Sequence, residues 1–293
     1  MVSPESTEEE REQARQLYLE RLRMQKDRVV ETRLAHSWNE DHLRRLVDVM
    51  KEQTLPDTTH KLIIDADFFR GVYDPSLNQL VDFLQNSPTV TDVHLCYLHD
   101  FDLDTMDDAD FMAIVGPVIE ICERFLLALS ETPALCKLTM EGLVLSNLRT
   151  SVRTALKNQR LRHIAILADN FLYDDKEFLI PLCQHAHVRS IGLTGDLRIW
   201  QKMSPEQAGK KPWQEWYGGK WVRDPTGGTT LDSMMQGLRA NKNLECFVWA
   251  KHGLNEVAVE RLKSALVSVE NVSIDKPNAV FDSQLDEQWE VPF

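Results

Sequence analysis

The residues best suited to chemistry lie on two segments near the middle of the chain. Asp92, His94 and Cys96 alternate along one segment, and His163 lies on another. A thiol with an imidazole base is a combination that nucleophilic catalysis uses. If both segments are strands separated by one further strand, His94 and His163 are about 10 Å apart. His94 and Cys96 are themselves about 7 Å apart between Cα atoms at strand rise. A nucleophile and its base need about 3 Å, so the spacing argues against a Cys/His enzyme.

Three further patterns approach ligand sites without completing one. His185 and His187 in QHAH have Cys183 as their sole neighbour at ligand spacing, so solvent contact at a helix end is expected. The acidic run 100–110 lacks the central glycine and closing glutamate of a calcium loop, and is expected to cap the following helix. The GGTT segment at 227–230 lacks the lysine of a phosphate loop. The sequence predicts no catalytic residue, metal site or cofactor.

Composition and charge limit the classes of partner. The chain has 293 residues, of which 43% are hydrophobic and 27% charged, so it has ample apolar mass for a core. It carries 33 Lys and Arg against 46 Asp and Glu, for a formal net charge of −13. Binding to nucleic acid or to an anionic membrane needs clustered cations, so both are excluded as general functions. A protein partner is expected, with a basic one favoured.

Features of the chain also predict its compartment. The first residues are acidic and polar, unlike a secretory or mitochondrial leader. The most apolar stretch, 111–129, contains three charged residues and is not expected to span a bilayer. The five cysteines are widely spaced and never form a CxxC pair, which is typical of reduced thiols. A cytoplasmic protein is predicted.

One apolar pattern recurs along the chain and predicts the architecture. The pattern is an apolar residue, two residues of any type, a second apolar residue, one residue of any type, and a third apolar residue. Copies begin at residues 59, 90, 135, 161, 188, 244 and 269, the first being weaker because Thr59 puts a polar residue in the opening position, and three of the six intervals span 25 to 27 residues. The last two apolar positions have strand spacing, while helical periodicity follows, as in Leu77, Leu80, Val81 and Leu84. A single strand–helix unit cannot cover its own apolar edge, whereas stacked units share one core.

The LxxLxL frame in units of about 26 residues resembles the leucine-rich repeat, in its ribonuclease-inhibitor-like class. The resemblance covers residues 59–278 and implies an α/β solenoid with parallel strands on a concave face, helices on a convex face, and protein recognition. The Asn or Cys that this family places three residues after the last Leu is replaced in every copy. An asparagine ladder at that position is therefore not expected. A generic open α/β sheet is the competing fold, although its Gly-rich phosphate turn is missing.

The domain organisation follows from where the repeats stop. Residues 1–37 are predicted to form a charged helical arm, and residues 38–58 an amphipathic helix that caps the solenoid. Residues 59–278 form the solenoid, with a Trp-rich insertion at 198–228 that holds four of the seven tryptophans. The acidic tail, 279–293, either docks on a partner or covers the last strand. The insertion likewise either binds a partner or packs on the solenoid flank.

Strand positions that face away from the core form the candidate binding surface. It is predicted to include Lys61, Asp65, Asp92, His94, Lys137, Thr139, Glu141 and His163. The insertion adds Trp213, Trp216, Tyr217 and Trp221. The predicted function is a non-enzymatic protein–protein interaction module that recruits or inhibits a partner. Two alternatives stay open: a structural subunit contacting its neighbours through the N-terminal helix and C-terminal tail, and an enzyme with the insertion as a lid. The oligomeric state is left open as well.

Overall fold

The computed structural model describes residues 29–34, 48, 59–65, 74–96, 120–141, 145–172, 175–202 and 219–275. The strands in this part of the chain are β1 (Val29–Leu34), β2 (Thr59–Asp65), β3 (Val90–Cys96), β4 (Lys137–Glu141), β5 (His163–Leu172), β6 (Ser190–Lys202), β7 (Gly219–Arg223), β8 (Cys246–Ala250) and β9 (Asn271–Ile274). The helices are α1 (Asp74–Asn86), α2 (residues 120–129), α3 (Leu145–Ala155), α4 (Lys176–Cys183), α5 (Gly228–Ala240) and α6 (Glu256–Ala265).

All nine strands belong to one sheet whose spatial order follows the chain. The order is β1-β2-β3-β4-β5-β6-β8-β9, each pair being parallel, and β7 pairs antiparallel with β6. A doubly wound sheet reverses its strand order and creates a ligand crevice at the reversal. Here the order never reverses, so the sheet grows in one direction with solenoid-like topology. Connections between parallel strands are right-handed. When every connection leads to the next strand in the same direction along the sheet, the helices in these connections all lie on one face of the sheet.

The predicted apolar triplets lie side by side, in register. One row along the sheet consists of Leu62, Val93, Leu138, Ile164, Ile191, Phe247 and Val272. The next consists of Ile64, Leu95, Met140, Ile166, Leu193, Trp249 and Ile274. Residues two apart on a strand share a face, so both rows point the same way. The register confirms that the seven repeats stack as parallel strands.

These rows form the core together with the helices. The row residues from β2 to β8 are almost completely buried, and they share one cluster with Leu80, Phe125, Leu179, Leu238 and Leu262 from five different helices. The indole Nε1 of Trp249 donates to the Gly195 carbonyl at 3.0 Å, which satisfies the polar atom of this buried ring. The opposite face of the sheet, called the open face below, is made of the alternate strand residues.

Buried polar residues satisfy the turns between helix and strand. Asn158 is 4% exposed; its Nδ2 donates to the carbonyls of Leu129 and Thr132, at 2.8 and 2.9 Å, in the preceding turn. Asn241 repeats the arrangement, donating to the carbonyls of His185 and Val188 at 3.1 and 3.4 Å. Both asparagines lie three residues before the first apolar position of a repeat. The turns are therefore linked by asparagines before the strand, and not after it as in the family that the sequence resembles.

The prediction of a helical arm over residues 1–37 is wrong for residues 29–34, which form strand β1 parallel to β2. Val29, Val30 and Thr32 are β-branched and favour a strand where an unpaired sheet edge is present. The parallel sheet thus begins one strand before the first predicted repeat. The rest of the arm, the predicted cap at 38–58 apart from the helical Asp48, and the tail at 279–293 lie outside the described residues.

The Trp-rich insertion begins and ends as paired strands. β6 pairs with β8 up to Thr194 and then continues to Lys202, where its second half pairs antiparallel with β7. Two arginines hold the base of this strand pair: Arg198 and Arg223 donate to the buried Asp196 carboxylate at 3.2 and 2.7 Å. Residues 203–218 lie outside the described part. Among the helices that the structure describes, none has the length and apolar character needed to cross a membrane.

Candidate functional site

The open face carries three rows of side chains, set by the same register that builds the core. The first row is Lys61, Asp92, Lys137, His163, Ser190, Cys246 and Asn271. The second is Ile63, His94, Thr139, Ala165, Gly192, Val248 and Ser273. A third row includes Glu141, Leu167, Thr194 and Ala250. Among the side chains of these rows that the structure describes, the charged ones lie on β2 to β5, and the others are mostly small and neutral.

The charged half of the face contains side chains that face one another across strands. Lys137 Nζ lies 3.9 Å from Asp92 Oδ2, and His163 Nδ1 lies 3.2 Å from Ser190 Oγ. Ser190 is buried and the other three side chains are half-buried, which limits their rotamers compared with fully solvated ones. Burial lowers the pKa of His163, and the positive charges of Lys137 and Arg189 act in the same direction. His163 is therefore favoured as a neutral side chain at neutral pH.

His94 and Glu141 are hydrogen-bonded to each other on this face. His94 Nε2 lies 3.1 Å from Glu141 Oε2, and the side chains are 25% and 38% exposed. The hydrogen bond from His94 holds the pKa of the Glu141 carboxyl below its ordinary value, and the effect exceeds that of burial, which acts in the opposite direction. Cys96 joins them: one potential ligand atom from each of His94, Cys96 and Glu141 lies within 4.8 Å of the other two.

The structure separates the histidines that the sequence first suggested as partners. His94 pairs with Thr139 and Thr139 with Ala165, whereas His163 lies two residues before Ala165. The two histidines are thus on different strands and in different rows. Sequence reasoning combined His94 with Cys96 and missed Glu141 as their neighbour. The strand register could have identified Glu141 as a neighbour, because Glu141 ends the strand of the repeat that follows the one containing His94.

Of the predicted binding residues, six place half-buried side chains on the open face: Lys61, Asp92, His94, Lys137, Glu141 and His163. Thr139 is buried at 9% exposure, so it offers little contact surface. Asp65 pairs with Cys96 through the backbone at the end of β2, and Trp221 pairs with Trp200 at the base of the insertion. Their side chains lie outside the description, as do Trp213, Trp216 and Tyr217 altogether.

The two histidines of the QHAH segment differ in burial. Solvent contact was expected for both, and His187 is exposed, but His185 is buried and its Nδ1 accepts from the His187 backbone N–H at 3.3 Å. Burial lowers the pKa of His185, and the neighbouring His187 acts in the same direction. Among the residues described, the groups that could hold a metal ion do not include either of them. The segment forms the turn between α4 and β6.

His60 is a buried polar residue that the sequence did not mark. It is fully buried on the core side of β2, and neither ring nitrogen has a hydrogen-bond partner among the described residues. Burial lowers the pKa of this imidazole. The pattern offered a weak signal, because His60 lies two residues before Leu62 and so faces the core as Leu62 does. His60 therefore belongs to the core and lies away from the open face.

No protein-family model matches this chain, and no curated protein matches it.

Proposed function

We propose that this protein is a leucine-rich-repeat module, related to the ribonuclease-inhibitor-like class, that binds a protein partner without catalysing a reaction. The partner lies across the open face of β2 to β5 and is recruited or inhibited by being held there. The repeat frame, the unidirectional parallel sheet and the unit length support this assignment. Stacked repeats of this kind present an extended face that suits recognition of a protein surface.

One observation carries the proposal: charged residues are gathered in register on half of the open face. Lys61, Asp92 and Lys137 follow one another across β2, β3 and β4, with His163 next on β5. On the strands after β5, the same rows contain small neutral residues such as Ser190 and Gly192. A solvated face has no physical reason to confine its charges to one half. A recognition surface does, because alternating charges impose an orientation on the partner.

The net charge of −13 supports a partner with basic character. The charges on the open face alternate in sign, so they fix the orientation of the partner more than they attract it. The excess negative charge of the whole chain supplies the long-range field that steers a basic protein toward it. The rate of association is accordingly expected to fall as salt concentration rises, because salt screens exposed charges beyond about 10 Å at 0.1 M.

The Trp-rich insertion supplies a second contact in this proposal. The insertion follows β6 beyond Thr194, where β8 stops pairing with β6, and returns along β7. The buried Asp196 carboxylate holds the base of this strand pair. Aromatic residues dominate the binding energy of many interfaces. Trp213 and Trp216 are the side chains proposed to contact the partner.

Affinity purification followed by mass spectrometry tests the proposal. The full chain is compared with Lys61→Glu, Lys137→Glu and the double variant Trp213→Ala/Trp216→Ala. We expect the two charge reversals to reduce recovery of the same protein partner severalfold, and the tryptophan pair to reduce it further. The circular dichroism spectrum and thermal midpoint should stay near those of the wild type, since Lys61 and Lys137 are half-buried surface residues.

A matched charge reversal on the helical side controls for net charge. Lys263 lies on the exposed side of α6, where its Nζ contacts Glu260 Oε1 at 2.9 Å. Lys263→Glu changes the net charge by the same amount as Lys137→Glu but leaves the open face intact. Wild-type partner recovery from the open-face and tryptophan variants would refute the proposed surfaces. A loss with Lys263→Glu as large as that with Lys137→Glu would show that the effect comes from net charge alone.

A further inference from the structure

We propose that His94, Cys96 and Glu141 form a binding site for one transition-metal ion of the zinc type, with three protein ligands and one open coordination position. The proposal goes beyond protein binding and does not depend on it. Among the residues described, this is the group of three ligand side chains whose donor atoms converge.

The distances are close to those of a loaded site. Zinc bonds of about 2.0–2.3 Å in tetrahedral geometry place ligand atoms about 3.4–3.6 Å from one another. His94 Nε2 and Glu141 Oε2 are already 3.1 Å apart, and the three donor atoms lie within 4.8 Å of one another. The donor atoms therefore need to move by roughly 1 Å. Rotation of half-buried side chains provides that movement without a change in the backbone.

The backbone already fixes the ligands relative to one another. His94 and Cys96 are two residues apart on β3, so they share the open face. Glu141 ends β4, which pairs with β3 through His94–Thr139 and Leu95–Met140. A site built on two paired strands in the middle of a sheet is held more rigidly than one built on loops. Binding thus needs little ordering of the chain.

The donor set selects the class of metal. One imidazole nitrogen, one thiolate and one carboxylate oxygen suit borderline-soft ions such as Zn²⁺ and Co²⁺. Mg²⁺ and Ca²⁺ prefer oxygen ligands throughout, so the thiolate disfavours them. With three protein ligands, the fourth position is left to water or to an incoming group, and both His94 and Glu141 are partly exposed. Sites of this composition exchange ligands, whereas four-ligand structural sites are closed.

A nucleophilic triad is the other reading of these residues, and the geometry disfavours it. In such a triad the nucleophile and the carboxylate bind opposite nitrogens of the imidazole, which separates them across the ring. Here the sulfur and a carboxylate oxygen are themselves within 4.8 Å. Three donors that converge on one point suit a cation better than a line of proton transfer.

Titration of the metal-free full chain with Co²⁺ tests the site. We expect one equivalent of Co²⁺ to produce a thiolate-to-cobalt charge-transfer band in the near ultraviolet, and Zn²⁺ to displace it. Cys96→Ser should abolish the band. Loss of an outer-shell partner of a metal ligand already costs 10- to 100-fold in affinity. Glu141→Gln and His94→Asn, which remove direct ligands, should therefore weaken binding by more than about 100-fold.

Cys246→Ser is the matched control. Cys246 is also a half-buried cysteine on the open face, but it lies on β8, and no described group of potential metal ligands includes it. This variant should keep the full charge-transfer band. As a second measurement that needs no variant, Zn²⁺ should slow the alkylation of Cys96 in the wild-type chain and leave that of Cys246 unchanged.

Some results would overturn the site. These are a wild-type chain without the band, a band that survives Cys96→Ser, or a Glu141→Gln variant with wild-type affinity. Loss of the band in Cys246→Ser would do the same. The test is separable from that of protein binding, because Lys61→Glu should lose the partner and keep the metal. Failure of either proposal therefore leaves the other standing.

Discussion

Replacing Asn158 with alanine removes a single side chain that ties two successive repeats together. Asn158 Nδ2 donates to the carbonyls of Leu129 and Thr132 at 2.8 and 2.9 Å, and its Oδ1 accepts from the Arg160 N–H at 2.9 Å. The side chain is 4% exposed. Each buried hydrogen bond contributes about 1 kcal/mol net, and a buried partner left unsatisfied costs about 1–3 kcal/mol.

Three bonds therefore give an expected loss of about 3 kcal/mol in the free energy of unfolding for Asn158→Ala, with some relief where water reaches the freed groups. Since about 1.4 kcal/mol is a factor of ten, the folding equilibrium should change by about 100-fold. Urea denaturation followed by tryptophan fluorescence measures this as a lower midpoint at similar slope. Asn158→Asp should be at least as damaging, because a carboxylate would then face two carbonyl oxygens.

Gln159→Ala is the neighbouring control. Gln159 is exposed and donates to the Lys157 carbonyl at 3.2 Å. Exposed substitutions of this kind usually change stability by less than about 0.5 kcal/mol. If Asn158→Ala and Gln159→Ala had equal effects, the buried asparagines would not hold the repeats together, and the account of the turns given above would be refuted.

Two further predictions concern titratable groups in the core. Burial lowers the pKa of His60, so the unfolded chain binds the proton first as pH falls below about 6.5. The stabilisation present above that pH should be lost on acidification by up to about 1.4 kcal/mol per pH unit. His60→Leu should show a shallower decline than the wild type between pH 6.5 and 5, and parallel curves would contradict this. Burial also raises the pKa of Cys122 and of Cys183 to about 12. A thiol reagent at pH 8 should therefore leave both cysteines unmodified in the folded protein and modify them in denaturant, and rapid labelling of either without denaturant would contradict their burial.

The repeat frame is the part of the structure that local sequence predicted best. Apolar residues at strand spacing, such as Ile164 and Ile166, must face one side, and a strand that cannot cover its own edge must pair with the next. The register of seven strands follows from these two facts, and the structure has it.

Other features depend on contacts between distant residues. Residues 29–34 read as part of a charged helix by composition, but pairing with β2 makes them a strand. The position of Asn158 before the strand, and not after it, is decided by which carbonyls of the preceding turn lie within its reach.

The sequence alone determined the α/β solenoid-like frame, its unit length and the strand positions that face away from the core. Those properties arise from the alternation of apolar residues along each segment, which is local. Tertiary structure decided that Glu141, 47 residues after His94, lies 3.1 Å from it, and that Cys96 converges with both. Neighbouring strands bring together side chains whose separation along the chain depends on the lengths of helices and loops, and no local pattern records that distance.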